Sequence, residues 1–258
     1  MCFTFESPTL WSMNETISWF ERGHVALITG ASQGLGRATA RQLARHGLQL
    51  VITARDGAAL AGVAAELRAS TDVTAIAGDV AELDHVHNLV RAAEAYGRLD
   101  LLVNNASTLG LVPLPTLEHL SPAVFHRLFE TNVFAPLHLM QHALPLLMRS
   151  SGTIVNVSSD AAVNAYPGWG GYGSSKAALE HVSRTFVAEI DGFGVSGLVV
   201  DPGSMDTKMH RDAEPDADFA AMPKPDEIAG ALLRTIASAR EPFGRVELAS
   251  LLQTGAPA

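Results

Sequence analysis

The sequence predicts an α/β fold in which a doubly wound parallel sheet has helices on both faces. Short apolar runs alternate with helical patterns along the chain, which is typical of parallel strands joined by helices. One of these runs, residues 24–29, leads directly into glycines and then into a helical pattern. With 258 residues, the chain is long enough for one large domain and short for two.

The same alternation gives approximate bounds for each element. We expect strands at 24–29, 48–54, 73–78, 100–103, 153–158, 195–200 and 244–249, and helices at 34–46, 57–70, 82–97, 122–149, 171–191 and 225–239. Ser121 and Pro122 form a good helix start, because serine caps free N–H groups and proline fits the first helical position. Residues 202–224 form a long irregular stretch, which we expect to be a functional lid or disordered.

The composition excludes several functional classes. The formal net charge is −9, which argues against nucleic acid or an anionic membrane as the main partner. The single cysteine, Cys2, can form neither an internal disulfide nor a zinc cluster. His138 and His142 have a zinc-compatible spacing, but no third ligand pairs with them, so no metal site is expected. The chain has neither an apolar run near the roughly 18 residues of a membrane span nor a secretory signal pattern, so we expect a cytoplasmic protein.

The first 22 residues precede the first expected strand and are interpreted as an N-terminal extension to a single catalytic domain at 23–258. Met13 begins a more ordinary lead-in to that domain, so residues 1–12 are expected to be an extension or an early start. The alternative is an arm that packs its aromatic side chains on a neighbouring subunit.

A dinucleotide site is predicted where the first strand meets the first helix. Gly30, Gly34 and Gly36 stand between them in the spacing GxxxGxG. Glycines allow a tight turn and a close backbone approach, and the helix N-terminus offers free N–H groups to phosphates. The alternative is an ordinary glycine-rich turn between a strand and a helix.

A proton-transfer site is predicted at Tyr172, Lys176 and Ser159. Residues i and i+4 share one helix face, so the phenol and the ammonium are expected to be neighbours. A nearby cation favours the charged form of an acid, so we expect Lys176 to lower the pKa of Tyr172 from its usual ~10 and make it a usable acid and base. Ser159 can donate to the same substrate oxygen. The alternative, which the short YxxxK pattern alone would favour, is a tyrosine–lysine pair on the surface of an amphipathic helix.

These residues are expected to converge on one crevice. In open parallel sheets, ligands bind beyond the carboxyl ends of the strands. A marker residue follows each of the first six expected strands in turn: Gly30, Arg55, Asp79, Asn104, Ser159 and Pro202.

From about His24 to about Leu251, the chain resembles the classical short-chain dehydrogenase/reductase family. The motifs that carry the resemblance occur in family order: TGASQGLG at 29–36, GDV at 78–80, NNAS at 104–107, Asn132 in ETNVFAP, VNVSS at 155–159, YGSSK at 172–176 and DPGSMDT at 201–207. The resemblance implies a Rossmann-like domain and an NAD(P)-dependent oxidoreductase that interconverts a carbonyl compound and a secondary alcohol.

The resemblance also implies catalytic roles for Asn132, Ser159, Tyr172 and Lys176. Tyr172 would transfer the proton, Ser159 would steady the substrate oxygen, and Lys176 would also bind the nicotinamide ribose. Asn132 would hold a water that links the lysine to solvent, or it would be a buried amide satisfied by nearby backbone. Ser158 is the alternative to Ser159, and the distance to the tyrosine in the family favours Ser159.

The residues expected to bind the cofactor follow five of the expected strands or lie on the helix expected at 171–191. Asp79 would accept from the adenine amine, cap a helix, or do both. Trp169 would wall the substrate pocket or pack on the core. The full cofactor-binding set is Gly30, Ser32, Gln33, Gly34, Leu35, Gly36, Arg55, Asp79, Val80, Asn105, Ala106, Tyr172, Lys176, Pro202, Gly203 and Thr207.

The end of the second strand predicts NADP(H). Enzymes of this family that use NAD typically carry an acidic residue where Ala54 stands, whereas here Arg55 follows it with a fork suited to phosphate oxygens. Gln33 and Asp56 weaken this expectation, because a second basic residue is absent and a negative charge is near. The alternatives are an NAD-preferring alcohol dehydrogenase and a dinucleotide sensor without turnover, and the complete catalytic set speaks against the sensor.

A homodimer or homotetramer is also expected, with a small carbonyl or alcohol compound as substrate. The family pairs the helices that match 122–149 and 171–191, and closed symmetry is common. Both helices carry more apolar residues than one buried face needs: Phe134, Leu137, Leu139, Met140, Leu144, Leu147, Phe186 and Val187.

Overall fold

Seven parallel strands form one sheet in the order β3-β2-β1-β4-β5-β6-β7 in the computed structural model, which describes residues 20–239 and 241–253. The strand order reverses between β1 and β4, which is where a doubly wound sheet opens its crevice. The predicted fold class is therefore confirmed. The strands are β1 Val25–Thr29, β2 Gln49–Ala54, β3 Val73–Ala77, β4 Leu101–Asn104, β5 Thr153–Val157, β6 Ser196–Asp201 and β7 Phe243–Glu247.

The helices cover both faces of the sheet. Side chains alternate along each strand, so Ala26 and Ile28 pack on one face while Val25 and Leu27 pack on the other. Helices α1, α2 and α8 cover the first face, and α3, α5 and α6 cover the second. The α-helices are α1 Gly34–Arg45, α2 Gly57–Leu67, α3 Leu83–Glu94, α4 Pro122–Phe129, α5 Ala135–Ser150, α6 Gly170–Glu189, α7 Lys208–Ala213, α8 Pro225–Ser238 and α9 Leu248–Gln253.

The helix expected at 122–149 contains a break in its hydrogen-bond register. It begins as predicted, with Ser121 capping the N–H of Val124. Between α4 and α5, residues 130–134 form a π-helical turn in which the N–H of Ala135 reaches the carbonyl of Glu130. Pro136 follows with no N–H to donate, which disfavours regular α-helical bonding at this point. Such turns often occur at functional sites, and Asn132 lies inside this one.

Two other expectations need correction. The last strand ends at Glu247 and the chain turns into α9, so residues 248 and 249 are helical. The stretch 202–224 is not irregular throughout, because it contains the short helix α7, whose start is capped by Thr207. Phe20 is buried and stacks on His46, so residues just before β1 pack on the domain. Residues 1–19 of the expected extension at 1–22, and with them all of residues 1–12, lie outside the described residues.

Most of the apolar side chains that suggested an oligomer pack inside the chain itself. Five of the eight side chains, those at 139, 140, 147, 186 and 187, are buried, and Leu137 and Leu144 are partly buried against the same core. Phe134 remains 42% exposed. Of these eight side chains, Phe134 is therefore the main one left exposed for contact with another chain. No helix in the part of the chain that the structure describes has the length and apolar character to cross a membrane.

Candidate active site

A cavity of about 310 Å³ opens at the carboxyl ends of β1, β2, β3 and β4, where sequence analysis expected the crevice. It brings together residues from the glycine turn, the end of β2 and the loops after β3 and β4. Lys176 and Tyr172, which are both buried, also line it. The predicted residues that line it are Gly30, Ser32, Gln33, Gly34, Leu35, Arg55, Asp79, Val80, Asn105, Ala106, Tyr172, Lys176, Pro202 and Thr207.

The glycine turn is closely packed against the loop after β4. Gly30 has a φ of +67°, a left-handed conformation that favours glycine. A β-carbon on Gly36 would overlap the carbonyl oxygen of Gly30 and the side-chain amide of Asn105. That amide is held in turn by the carbonyl of Thr29 at 2.9 Å. Gly36 therefore packs against the backbone of the turn and does not line the cavity.

A second cavity of about 440 Å³ adjoins the first. It is bounded by Leu109, by the segment after β5, by Trp169 and by the segment 201–214. Tyr172 lines both cavities, and its ring has an edge contact with Trp169 at 5.7 Å between centroids. Trp169 therefore packs on the tyrosine and walls the second cavity as well. Gly203 also lines this cavity.

The two serines after β5 have different surroundings. The hydroxyl of Ser158 is buried and donates to Glu180 at 2.6 Å. Ser159 lines the second cavity together with Tyr172. Its hydroxyl donates to Asp160 at 3.0 Å and accepts from the N–H of Ala161 at 3.2 Å. Both serines line the second cavity, but the hydroxyl of Ser158 is engaged with α6, whereas that of Ser159 bonds within its own turn.

Burial dominates the electrostatics of Tyr172 and Lys176. It raises the pKa of the Tyr172 phenol to about 12, although the hydroxyls of Ser107 and Ser159 act against it. It lowers the pKa of Lys176 to about 7, against the attraction of Glu180. The lysine Nζ lies 5.5 Å from the centre of the tyrosine ring, so the two are neighbours as expected. The expected lowering of the tyrosine pKa is wrong for this arrangement, because loss of water dominates and the carboxylates of Asp201 and Asp160 raise the pKa further.

Comparisons with known proteins identify the family of this site. A family model described as short chain dehydrogenase matches residues 24–218. A 3-oxoacyl-(acyl-carrier-protein) reductase of rhamnolipid biosynthesis from Pseudomonas aeruginosa is 34% identical over 224 residues, covering 80% of this chain and 86% of that protein.

The chain belongs to the short chain dehydrogenase family.

Solved structures agree with that assignment. The alcohol dehydrogenase from the archaeon Thermococcus sibiricus, complexed with 5-hydroxy-NADP, matches with a TM-score of 0.77 and 32% identity, over 86% of this chain and 95% of that one. The Pseudomonas aeruginosa RhlG/NADP active-site complex matches with a TM-score of 0.77 and 30% identity, over 89% and 96% of the two chains. As a short chain dehydrogenase, this protein is an oxidoreductase that acts on CH–OH groups.

In this short chain dehydrogenase the side chain of Asn132 is fully engaged. Its Nδ2 donates to the carbonyl of Thr108 and to the hydroxyl of Ser175, both at 3.0 Å. Its Oδ1 accepts from the N–H of Thr108 at 2.9 Å and from Ser107 at 3.1 Å. The asparagine thus ties the loop after β4 to α6, the helix that carries the tyrosine and the lysine. These contacts match the buried-amide alternative, and the water relay that the family implies stays a prediction.

Asp79 forms two contacts at the rim of the first cavity. One carboxylate oxygen accepts from the N–H of Ala81 at 3.0 Å, a bond within the turn before α3. The expected helix cap is not formed by Asp79, because Glu82 is the N-cap of α3. The other accepts from Arg127 on α4 at 2.6 Å. Sequence reasoning missed Arg127, because no local pattern indicates an ion pair between residues 48 positions apart.

Three histidines, two on α3 and one on α5, have contacts within the fold. His85 is buried and bonds to Thr53 at 2.8 Å, and its ring fills the space that a β-carbon on Gly78 would need. His87 meets His142 edge to face at 4.6 Å between ring centres. Within residues 20–239 and 241–253, no group of three or more possible ligands is placed to hold a metal ion.

Sequence reasoning also missed a buried charged cluster that joins α6 to β7. Glu180 accepts from Arg245 of β7 through both carboxylate oxygens at 3.1 Å, and it accepts from Ser158 as well. The one sequence feature that pointed to Glu180 is the spacing of four residues between Tyr172, Lys176 and Glu180. This spacing puts all three on one helix face.

Proposed function

We propose that this protein is an NADP(H)-dependent oxidoreductase that interconverts a carbonyl compound and a secondary alcohol, with Tyr172 as the general acid and base. The observation that carries the proposal is the position of Tyr172 in the wall between two cavities. One cavity is lined by the glycine turn and the strand ends that suit a dinucleotide. The other contains Ser159 and has the size and mixed lining of a small-molecule pocket.

The residues of the first cavity fit a dinucleotide. Helix α1 starts at Gly34, and no side chain caps its first turn, so its N–H groups and positive dipole end are available to phosphates. The close packing of Gly36 keeps the turn tight against β4. A nicotinamide dinucleotide bound here supplies or accepts the hydride, and the protein supplies position and electrostatics.

The charges at the end of β2 favour a 2′-phosphate. Arg55 is exposed and lines the cavity, and none of the ion pairs among the described residues involves it. By contrast, Arg37 is paired with Glu66. The carboxylate of Asp56 caps α2 through the N–H of Ala59 at 3.0 Å, so one of its oxygens is committed to the helix. Ala54 adds no negative charge that would repel a phosphate.

The raised pKa of Tyr172 supports reduction of a carbonyl. With its pKa raised to about 12, the Tyr172 phenol holds its proton at neutral pH and can donate it to the substrate oxygen as that oxygen gains negative charge. Ser159 can offer a second hydrogen bond from the same cavity. Lys176 is held by the carbonyl of Val157 at 2.7 Å, and its charge stabilises a tyrosinate when the reaction runs toward the carbonyl.

A substrate screen tests the proposal directly. We expect the purified protein to oxidise NADPH, followed by nicotinamide absorbance, with at least one member of a panel of ketones, aldehydes, quinones and sterols. Binding of NADPH without turnover of any compound would instead favour a dinucleotide sensor.

The cofactor preference gives a second prediction. Arg55→Ala is expected to reduce the ratio of kcat/KM for NADPH to that for NADH by roughly tenfold to a hundredfold, the value of a charge-assisted hydrogen bond. Ala54→Asp should reduce this ratio further, because a carboxylate there accepts from a ribose hydroxyl and repels a phosphate. Arg37→Ala is the control, since its guanidinium is already paired with Glu66. A wild-type enzyme that uses both cofactors equally, with no effect of Arg55→Ala, would favour an NAD-preferring enzyme.

Assembly gives a third prediction. We propose a homodimer or homotetramer, supported by family membership and by the exposed ring of Phe134 at the start of α5. Light scattering of the purified protein at micromolar concentration is expected to give the mass of two or four chains. A mass of one chain at that concentration would contradict this proposal and leave the proposed reaction unaffected.

A further inference from the structure

A buried carboxylate lies one helical turn beyond the lysine of the active site. Helix α6 places Tyr172, Lys176 and Glu180 four residues apart, on one face. The side chain of Glu180 is only 9% exposed, and a buried charge is costly unless it is paired and hydrogen-bonded. Glu180 meets that requirement through Ser158 at 2.6 Å and through Arg245 at 3.1 Å.

Glu180 also anchors the carboxyl end of β5. Three consecutive residues at this end make different contacts. The carbonyl of Val157 accepts from Lys176, the hydroxyl of Ser158 donates to Glu180, and Ser159 lines the substrate cavity. Because Ser158 lies between the other two, its bond to Glu180 fixes the backbone that presents Ser159.

Arg245 connects this carboxylate to the edge of the sheet. It lies on β7, outside residues 24–218 that match the family model. Its Nε bonds to Glu180, its Nη1 bonds to Glu247 at 3.0 Å, and its Nη2 lies 3.8 Å from Asp201. Asp201 accepts in turn from the N–H of Gly203 at 2.9 Å. The arginine therefore ties α6 to the segment after β6, which lines both cavities.

We propose that Glu180 and Arg245 are a positioning pair for the reaction, in which Glu180 holds Ser158 and sets the electric field at Lys176, while Arg245 offsets the charge of Glu180. The inference rests on the proposed function. Burial lowers the pKa of Lys176 to about 7 and Glu180 opposes that effect, so the charge on the lysine depends on this carboxylate near neutral pH. The ionisable groups around the lysine and its tyrosine neighbour are Glu180 on α6, Asp160 after β5 and Asp201 on β6, with Arg245 on β7 paired to Glu180.

The two members of the pair are expected to act in opposite directions. Glu180→Gln removes a negative charge, so the pKa of Lys176 should fall by about one unit. Arg245→Met removes the offsetting cation, so that pKa should rise. The ammonium is lost as pH rises through its pKa, so the decline of kcat/KM that follows it should move to lower pH in Glu180→Gln and to higher pH in Arg245→Met. Damage to packing alone would reduce activity in both without opposite shifts.

The lysine can be titrated without relying on turnover. The sequence has lysine only at Lys176, Lys208 and Lys224, so ¹³C labelling of the lysine ε-carbon gives few signals, which Lys208→Arg and Lys224→Arg assign. Arg245→Lys keeps a cation and should leave the midpoint for Lys176 near the wild-type value. The matched control is Arg41→Met, since Arg41 is also paired with two carboxylates, Glu66 and Asp226, and its side chain is 25% exposed against 23% for Arg245.

The outcomes separate this inference from the proposed reaction. Opposite shifts in Glu180→Gln and Arg245→Met, with none in Arg41→Met, support the pair. Shifts in the same direction, or none, overturn it even if the enzyme is active. If Arg245→Met does not fold, the double variant Glu180→Gln with Arg245→Met removes both charges, and its lysine should titrate above that of Glu180→Gln alone. Absence of turnover in the wild type contradicts the proposed reaction, while the titration still tests the pair.

Discussion

Tyr172→Phe is expected to reduce turnover by a factor of about 10² to 10⁴, the range for loss of a general acid or base. The substitution removes only the hydroxyl that transfers the proton. The ring still packs edge to face on Trp169, so the wall between the two cavities stays in place. We therefore expect kcat, measured by nicotinamide absorbance, to fall by that factor. The dissociation constant for NADPH, measured by calorimetry, should stay close to the wild-type value.

Two further variants sharpen this test. Tyr166→Phe is the matched control, because Tyr166 lines the same cavity and bonds to Asp160 at 2.9 Å, yet has no proposed role in proton transfer. It should retain most of the activity. Lys176→Ala should damage both kcat and cofactor binding, since one ammonium is proposed to serve both. Turnover in Tyr172→Phe above a percent or so of the wild-type rate would rule out the tyrosine as the acid and base.

The parts of the site that could be predicted from sequence are those that follow strand ends. Parallel strands present their carboxyl ends at one edge, so a residue such as Arg55 or Asp79 is placed as soon as its strand is recognised. This is why the loops after β1 to β4 meet in one cavity as expected. The strand bounds could also be predicted closely, because short apolar runs bounded by polar residues leave few positions where a strand can begin or end.

The parts that could not be predicted depend on contacts between distant residues or on burial. Arg245 and Glu180 are 65 positions apart, and nothing local to either residue indicates the other. The π-helical turn at Asn132 interrupts a pattern that is apolar and helical throughout, so periodicity alone gave one continuous helix. For Tyr172, the spacing of four identified the neighbouring cation correctly, but only the folded chain shows that both groups lose their water.

Gly36→Ala is expected to weaken dinucleotide binding by more than tenfold and to lower the stability of the protein by about 1–3 kcal/mol, the usual cost of inserting a methyl group into packed structure. The new β-carbon would overlap the carbonyl of Gly30, which is backbone and cannot rotate away. It would also press on the amide of Asn105, which is held by the carbonyl of Thr29. The turn that meets the phosphates therefore has to move.

Gly62→Ala is the matched control for that prediction. Gly62 lies in α2, is exposed, and has nothing within 4 Å of the position that a β-carbon would take. Because alanine favours a helix over glycine by about 1 kcal/mol, this variant should melt at a higher temperature than the wild type, with unchanged NADPH affinity. The same glycine-to-alanine change is thus expected to lower the melting temperature at position 36 and to raise it at position 62. Thermal melts and calorimetric titration of both variants test this. If Gly36→Ala binds NADPH and melts like the wild type, close packing under the glycine turn is not what shapes the dinucleotide site.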